Sequence, residues 1–130
     1  MRQPYEWAVL RVVPRVERGE FLNVGVVVYS RPLEFLGAAV HFDEQRALAL
    51  DPALDVAAVR GHLESLRALC AGDPQAGANA ARPAGERFRW LTAPRSTVVQ
   101  PSPVHTGITD DPAEELSRLM ARMVLSLIHI

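Results

Sequence analysis

The sequence predicts an α+β fold, with an antiparallel sheet of about four strands and helices packed on one face. Two observations predict it: Val-rich and aromatic segments joined by short connections open the chain, and apolar residues at helical spacing recur later. The chain has 130 residues, of which 48% are hydrophobic and 22% charged. These values predict one domain with a buried core.

The N-terminal part is predicted to form a three-stranded meander. Its strands are rich in Val, Leu and aromatic residues, and they span Tyr5–Val13, Phe21–Ser30 and Leu33–Phe42. Alternation in the second strand predicts one core face, made of Leu22, Val24, Val26 and Val28.

Helix-capping residues and apolar periodicity predict the helices. Asp43 caps a short helix, and Asp55 caps a longer one that ends near Ala71. The final helix begins after Asp111, with Pro112 in its first turn. Its apolar face is predicted to dock on the meander through Leu116, Leu119, Met120, Met123 and Val124.

The region between the last two helices contains the remaining elements. Gly72–Gly85 consists of small residues and prolines, which predicts a flexible loop. The six residues 86–91 fit either a helical turn or a strand. Ser96–Gln100 is β-branched and predicts a fourth strand, which Pro101 and Pro103 end.

The C-terminal segment Leu125–Ile130 differs in composition from the rest of the chain. Two of the three isoleucines lie in its last three residues. It also resembles the translated end of a sequencing adapter. We therefore expect a single domain over residues 1–124 and a non-native tail over 125–130.

Composition excludes several classes of function. The formal net charge is −1, which provides no general field for nucleic acid or an anionic membrane. The one cysteine, Cys70, lies in an apolar helical pattern and predicts a packed thiol rather than a nucleophile. Neither a signal peptide nor a membrane span is predicted, so we expect a cytoplasmic protein.

Two long stretches carry a family resemblance. The segments "YEWAVLRVVPRVERGEFLNVGVVVY" and "RFRWLTAPRSTVVQPSPVHTGITDDP" resemble the signature blocks of domain of unknown function family 3037, a family of small bacterial proteins. The resemblance implies no established activity. It implies an association with HipA-like kinases as protein partners, and hence a toxin–antitoxin-like role.

The polar residues of these blocks are the candidate binding surface. They are Arg11, Glu20, Asn23, Arg95, Ser96, Gln100, Ser102, His105 and Thr106. The catalytic residues, if any, are unknown, and no metal or cofactor is expected.

Two of these candidates have alternative interpretations. Arg11 is a charged residue in an apolar strand, and Glu20 across the hairpin is its expected partner. That pair is either structural or orients a ligand. Asn23 either bonds to local backbone beside the turn or presents its amide to a ligand.

Known catalytic and binding patterns fit the sequence poorly. Ser102, His105 and Asp110 are the ingredients of a triad, but they lie on one short, proline-broken segment. The histidines lack the spacing of a metal site. Single-strand nucleic acid binding would rest on arginines interleaved with aromatic residues, namely Arg82, Arg87, Phe88, Arg89, Trp90 and Arg95.

The leading hypothesis is therefore a non-enzymatic binding or regulatory module that acts through a protein partner. A second hypothesis is a small-ligand or nucleotide-binding protein, or an enzyme. Its site would combine polar residues at converging strand ends: Arg11, Glu20, Asn23, Arg95 and His105. It requires Arg11, Asn23 and His105 to line one concave pocket. Nucleic-acid binding is the third hypothesis.

Overall fold

Within residues 1–126 the fold is α+β, as the sequence predicts, with an open antiparallel sheet of five strands and four α-helices. The computed structural model describes residues 1–126. The strands are β1 (Gln3–Val12), β2 (Leu22–Ser30), β3 (Phe35–Val40), β4 (Val99–Pro101) and β5 (His105–Thr109). The helices are α1 (Glu44–Leu50), α2 (Val56–Ala71), α3 (Ala84–Leu91) and α4 (Pro112–Met120), and a π-helical turn (Ala121–Leu125) extends α4.

Strand β1 is the centre of the sheet. It pairs with β2 on one side, and β2 pairs with β3, which completes the meander. On its other side β1 pairs with β4 near its C-terminal end and with β5 near its N-terminal end. The fourth position in the sheet is therefore occupied by two short strands in succession. The segment that follows the prolines returns to the same edge instead of leaving it.

Helices cover both faces of the sheet, whereas the sequence led us to expect them on one. Ala8, Leu10 and Val12 of β1 pack in one core with α1, α2 and α3, on what we call the α2 face. Tyr5 packs with α4 on the opposite side, which we call the α4 face. Because neighbouring residues of a strand point to opposite faces, the two cores use alternate positions of the same strands.

A β-bulge in β2 changes which of its residues face each core. Leu10 pairs with Gly25 but Arg11 pairs with Asn23, so Val24 is an extra residue opposite β1. Leu22 and Val24 lie in the core of the α2 face, but Val26 and Val28 lie in that of the α4 face. The prediction of one continuous core face was wrong for this reason.

Gly25, beside the bulge, allows β3 to lie close to β2. A Cβ at Gly25 would lie 2.7 Å from the carbonyl oxygen of Ala39 on β3. This distance is shorter than van der Waals contact, so a side chain here would push β3 away from β2.

The predicted helix starts are confirmed. The side chains of Asp43, Asp55 and Asp111 accept hydrogen bonds from backbone N–H groups in the first turns of α1, α2 and α4. Gly72 ends α2 in a left-handed conformation, with φ of 71°. The ambiguous segment over residues 86–91 is helical and belongs to α3.

Two earlier expectations remain predictions. The segment after α2 contains two 3₁₀ turns, Pro74–Ala76 and Ala78–Ala81, and Ala80 is buried. The flexibility of Gly72–Gly85 stays a prediction. Of the expected non-native tail, residues 127–130 lie outside the described residues.

The single cysteine is part of the core of the α2 face. Cys70 is 4% exposed, and burial raises the pKa of its thiol to about 11. Since the thiolate is the reactive form, the folded protein should resist thiol reagents at mildly alkaline pH. We expect a disulfide-exchange reagent to label Cys70 only as fast as the chain unfolds, and fully in denaturant. Rapid stoichiometric labelling of the native protein would contradict this packing.

Candidate functional site

The α4 face is only partly covered. Helix α4 packs across β2 and β3, and the π-helical turn packs against β2. The side of β1 that adjoins β4 and β5 is left partly open to solvent. Along it, and beside the start of β2, lie half-buried and exposed side chains that we call the β1 strip: Trp7, Arg11, Phe21, Gln100 and His105.

Strand pairing determines the order of residues in the strip. Trp7 pairs with His105, and their rings lie 4.5 Å apart with an interplanar angle of 31°. Arg11 pairs with Gln100 on one side and Asn23 on the other. At about 3.3 Å per residue, Trp7 and Arg11 are roughly 13 Å apart along one face of β1. The strip is a surface that runs along a strand.

Arg11 makes no ion pair within residues 1–126. Its guanidinium carbon lies 4.2 Å from the ring centroid of Phe21, which is 46% exposed. Its Nε atom is buried and has no hydrogen-bond partner. A cation over an aromatic face is attracted to it, but the ring does not neutralise the charge.

The expected pair between Arg11 and Glu20 does not form in the described part of the chain. Glu20 instead pairs with Arg18, with 2.7 Å between Nε and a carboxylate oxygen. The residue opposite Arg11 is Asn23, so Glu20 lies three residues before the position that faces the guanidinium. Glu20 therefore belongs to the hairpin connection and not to the strip.

Asn23 bonds to a distant backbone group and not to the turn beside it, and the presentation of its amide to a ligand stays a prediction. Its Nδ2 donates to the carbonyl oxygen of Met123, at 3.0 Å, and so ties β2 to the turn after α4. Its Oδ1 is buried without a partner, as is the Nε of Arg11 on the neighbouring strand. The Oδ1 atom of Asn23 accepts hydrogen bonds and the Nε–H of Arg11 donates them. An amide group on a ligand has both a donor and an acceptor, so one such group matches these two atoms.

Two other candidates stabilise the chain locally. Arg95 donates from Nη2 to the carbonyl oxygen of Trp90 and from Nε to that of Ala93, at 3.4 Å, and so holds the chain after α3. Gln100 donates from Nε2 to the carbonyl oxygen of Thr97 at 2.9 Å. Arg95 lies beside α3 on the α2 face, away from the strip.

Ser102 joins β4 and β5 to the central strand. The backbone N–H of Val9 donates to Ser102 Oγ at 2.8 Å, and that of Ser102 donates to the carbonyl oxygen of Val9 at 2.7 Å. Ser102 Oγ in turn donates to the carbonyl oxygen of Pro103 at 2.9 Å. The serine is 2% exposed, so its hydroxyl serves the sheet and is inaccessible to a ligand.

The remaining candidates are on the surface. His105 and Thr106 are exposed on β5, where Thr106 pairs with Glu6. Ser96 lies on the α2 face, at a cavity beside α2. The candidates are therefore divided between the two faces of the sheet.

The second hypothesis required Arg11, Asn23 and His105 to line one concave pocket. Asn23 lines a cavity of about 240 Å³ with Phe21 and Met123, but neither Arg11 nor His105 is among its lining residues. His105 contacts Trp7 instead. The structure thus brings Arg11 and Asn23 together and does not bring the five residues of that hypothesis to one site.

The arginines considered for nucleic acid binding are engaged with the protein. Arg82 pairs with Glu86, and Arg89 makes a two-pronged pair with Glu6. Phe88 is fully buried. Among residues 1–126, no cluster of His, Cys, Asp or Glu side chains is placed to hold a metal ion.

Sequence reasoning missed two members of the strip. The sequence pattern assigns Trp7 and Phe21 only to strands. Phe21 and Asn23 alternate along the second strand and therefore point to the same face, which also carries Arg11 across the hairpin. That shared face is the signal that could have identified them. The bulge hid this signal because it changes the alternation partway along β2.

These observations define a small α+β domain with a five-stranded antiparallel sheet, helices on both faces and a polar–aromatic strip. The chain belongs to the family described as "Protein of unknown function (DUF3037)", whose model matches residues 7–124. Neither a curated protein nor a solved structure matches it. No helix within residues 1–126 is long and apolar enough to cross a membrane.

The structural role of Ser102 is open to a direct test. Ser102→Ala removes the acceptor of the buried Val9 N–H, so we expect the free energy of unfolding to fall by about 1–3 kcal/mol. Ser96→Ala is the matched control, because Ser96 is exposed, and its effect should stay within about 0.5 kcal/mol. Urea denaturation followed by circular dichroism measures both. Equal stabilities of the two variants would contradict the role of Ser102 in joining the strands.

Proposed function

We propose that the protein is a non-enzymatic binding or regulatory module that acts through a protein partner. The observation that carries this proposal is Arg11, a cation without an acidic partner in the described chain, set over an exposed Phe21. Trp7 and His105 extend the same surface. Arginine and aromatic residues are enriched at protein interfaces and carry much of their binding energy.

The chemistry of the strip favours an acidic group on the partner. Seven other arginines each pair with an acid of the described chain, such as Arg89 with Glu6 and Arg118 with Glu115. Arg11 is available for an external carboxylate, which would make charge-assisted hydrogen bonds to the guanidinium. Apolar side chains beside that carboxylate would cover Phe21 and Trp7. A surface that is elongated along a strand suits a protein segment better than an enclosed small ligand.

A HipA-like kinase is the partner that the family resemblance implies, and a cytoplasmic setting is what the sequence predicts. Both stay parts of the proposal. The resemblance supports the kinase, and the strip supports a protein partner of some kind.

The proposal predicts a selective effect of Arg11. In binding to a HipA-like kinase encoded beside the natural gene, Arg11→Ala should raise Kd by about tenfold or more, as truncation of a hot-spot arginine does. Arg31→Ala is the control, because Arg31 is an exposed arginine at the turn before β3. Calorimetric titration of the purified proteins measures both.

Two results would count against the proposal in different ways. Failure of the kinase to associate at micromolar concentration would overturn it as the partner. Association that Arg11→Ala and Arg31→Ala weaken equally would overturn the strip as the binding surface. Unfolding curves of both variants exclude a loss caused by misfolding.

A further inference from the structure

A separate cavity lies on the α2 face, on the other side of the sheet from the β1 strip. It has a volume of about 420 Å³ and lies between the start of α2 and residues 96–99, which lead into β4. Its walls are mainly apolar: Leu54, Ala58, Val59, Val98 and Val99. The volume falls within the range of about 300–1,000 Å³ typical of small-molecule pockets.

Most polar groups around this cavity are already engaged. Asp55 Oδ1 accepts from the backbone N–H of Ala58 at 3.0 Å and caps α2. Thr97 Oγ1 donates to the carbonyl oxygen of Val99 at 2.8 Å. His62 is different, because its imidazole makes no hydrogen bond within the described residues although it is half-buried in the cavity wall. Ser96, with an exposed hydroxyl, stands at the rim.

The protonation of His62 bears on the ligand. Burial, and secondarily the charge of Arg95, lower the pKa of the imidazole below its ordinary value. The ring is therefore neutral at physiological pH, with one nitrogen that donates and one that accepts. Arg95 itself is bonded to the carbonyl oxygens of Trp90 and Ala93, and no cation is among the lining residues. The carboxylate of Asp55 at the rim disfavours an anion.

The other cavities that we describe differ in character. Their volumes run from about 240 to 310 Å³, and all have charged side chains in their walls, as in the cavity lined by Arg60, Glu64 and Arg67. The cavity beside α2 is larger and has only Asp55 as a charged lining residue. An apolar wall with one unengaged polar group is the usual composition of a site for a small organic ligand.

We propose that this cavity binds a small, neutral, largely apolar molecule that carries one hydrogen-bonding group, such as a hydroxyl, directed at His62. The apolar part of the ligand packs on Val59, Val98 and Val99, and the hydroxyl exchanges a hydrogen bond with the imidazole. Because the cavity and the β1 strip lie on opposite faces of the sheet, this site is independent of the proposed protein partner.

The first experiment uses 4-methylphenol as the probe and 1,4-dimethylbenzene as its isostere without the hydroxyl. Titration followed by two-dimensional NMR of the labelled protein should give saturable shifts at Val59, Val98 and Val99 with both compounds. The anion 4-methylbenzoate should bind more weakly than 4-methylphenol. Tighter binding of the anion would overturn the neutral ligand class, and shifts confined to other parts of the chain would overturn the site.

Two pairs of variants test the geometry. Ala58→Phe should fill the cavity from the exposed side of α2 and abolish binding, and Ala57→Phe, at a neighbouring exposed position outside the cavity, should not. His62→Leu should reduce the preference for 4-methylphenol over 1,4-dimethylbenzene by about three- to tenfold, the contribution of one hydrogen bond.

Three further outcomes would test where the ligand binds, what His62 does and whether the two proposed sites are independent. Equal effects of Ala57→Phe and Ala58→Phe would overturn the placement of the ligand. An unchanged preference in His62→Leu would overturn the role of the imidazole. Loss of ligand binding with partner binding intact, or the reverse, separates this proposal from the one for the β1 strip.

Discussion

One extra residue in β2 sets the arrangement of both faces of this sheet. The bulge at Val24 turns the alternation of β2, so that Leu22 and Val24 pack under α1–α3 whereas Val26 and Val28 pack under α4. Both sides of the strand are thereby buried. Each layer of helices therefore packs on apolar side chains of β2.

The bulge also produces the polar features of the α4 face. It places Asn23 beside Arg11, with its amide directed to the carbonyl oxygen of Met123. Glu20 lies three residues before the position opposite Arg11 and pairs with Arg18. The lack of a partner for Arg11 is therefore a consequence of strand register. A regular hairpin would have shifted the residue opposite Arg11 by one position and turned Asn23 to the other face.

Local sequence signals predicted the helices and strands, whereas the pairing of distant strands determined how they are arranged. The caps at Asp43, Asp55 and Asp111 act within three residues, so the sequence shows them directly. The bulge, by contrast, is a feature of the pairing of β2 with β1, and no local pattern of β2 encodes it. The sequence shows which candidate residues are polar, but their division between two faces follows from the pairing of β1 with β4 and β5.

The stretch from Arg95 to His105 shows why a polar segment can resemble a catalytic loop. It begins on the α2 face, where Arg95 supports the end of α3 and Ser96 lies at the cavity. It then follows the edge of β1, where prolines remove backbone donors and the hydroxyl of Ser102 accepts the N–H of Val9 in place of a backbone carbonyl. It ends with His105 against Trp7 on the α4 face. Its polar residues thus lie in three separate places: on one face of the sheet, on the other face, and in the hydrogen bonds that join the edge to β1. An edge strand provides all three, because its side chains alternate between the faces while its backbone pairs with the next strand.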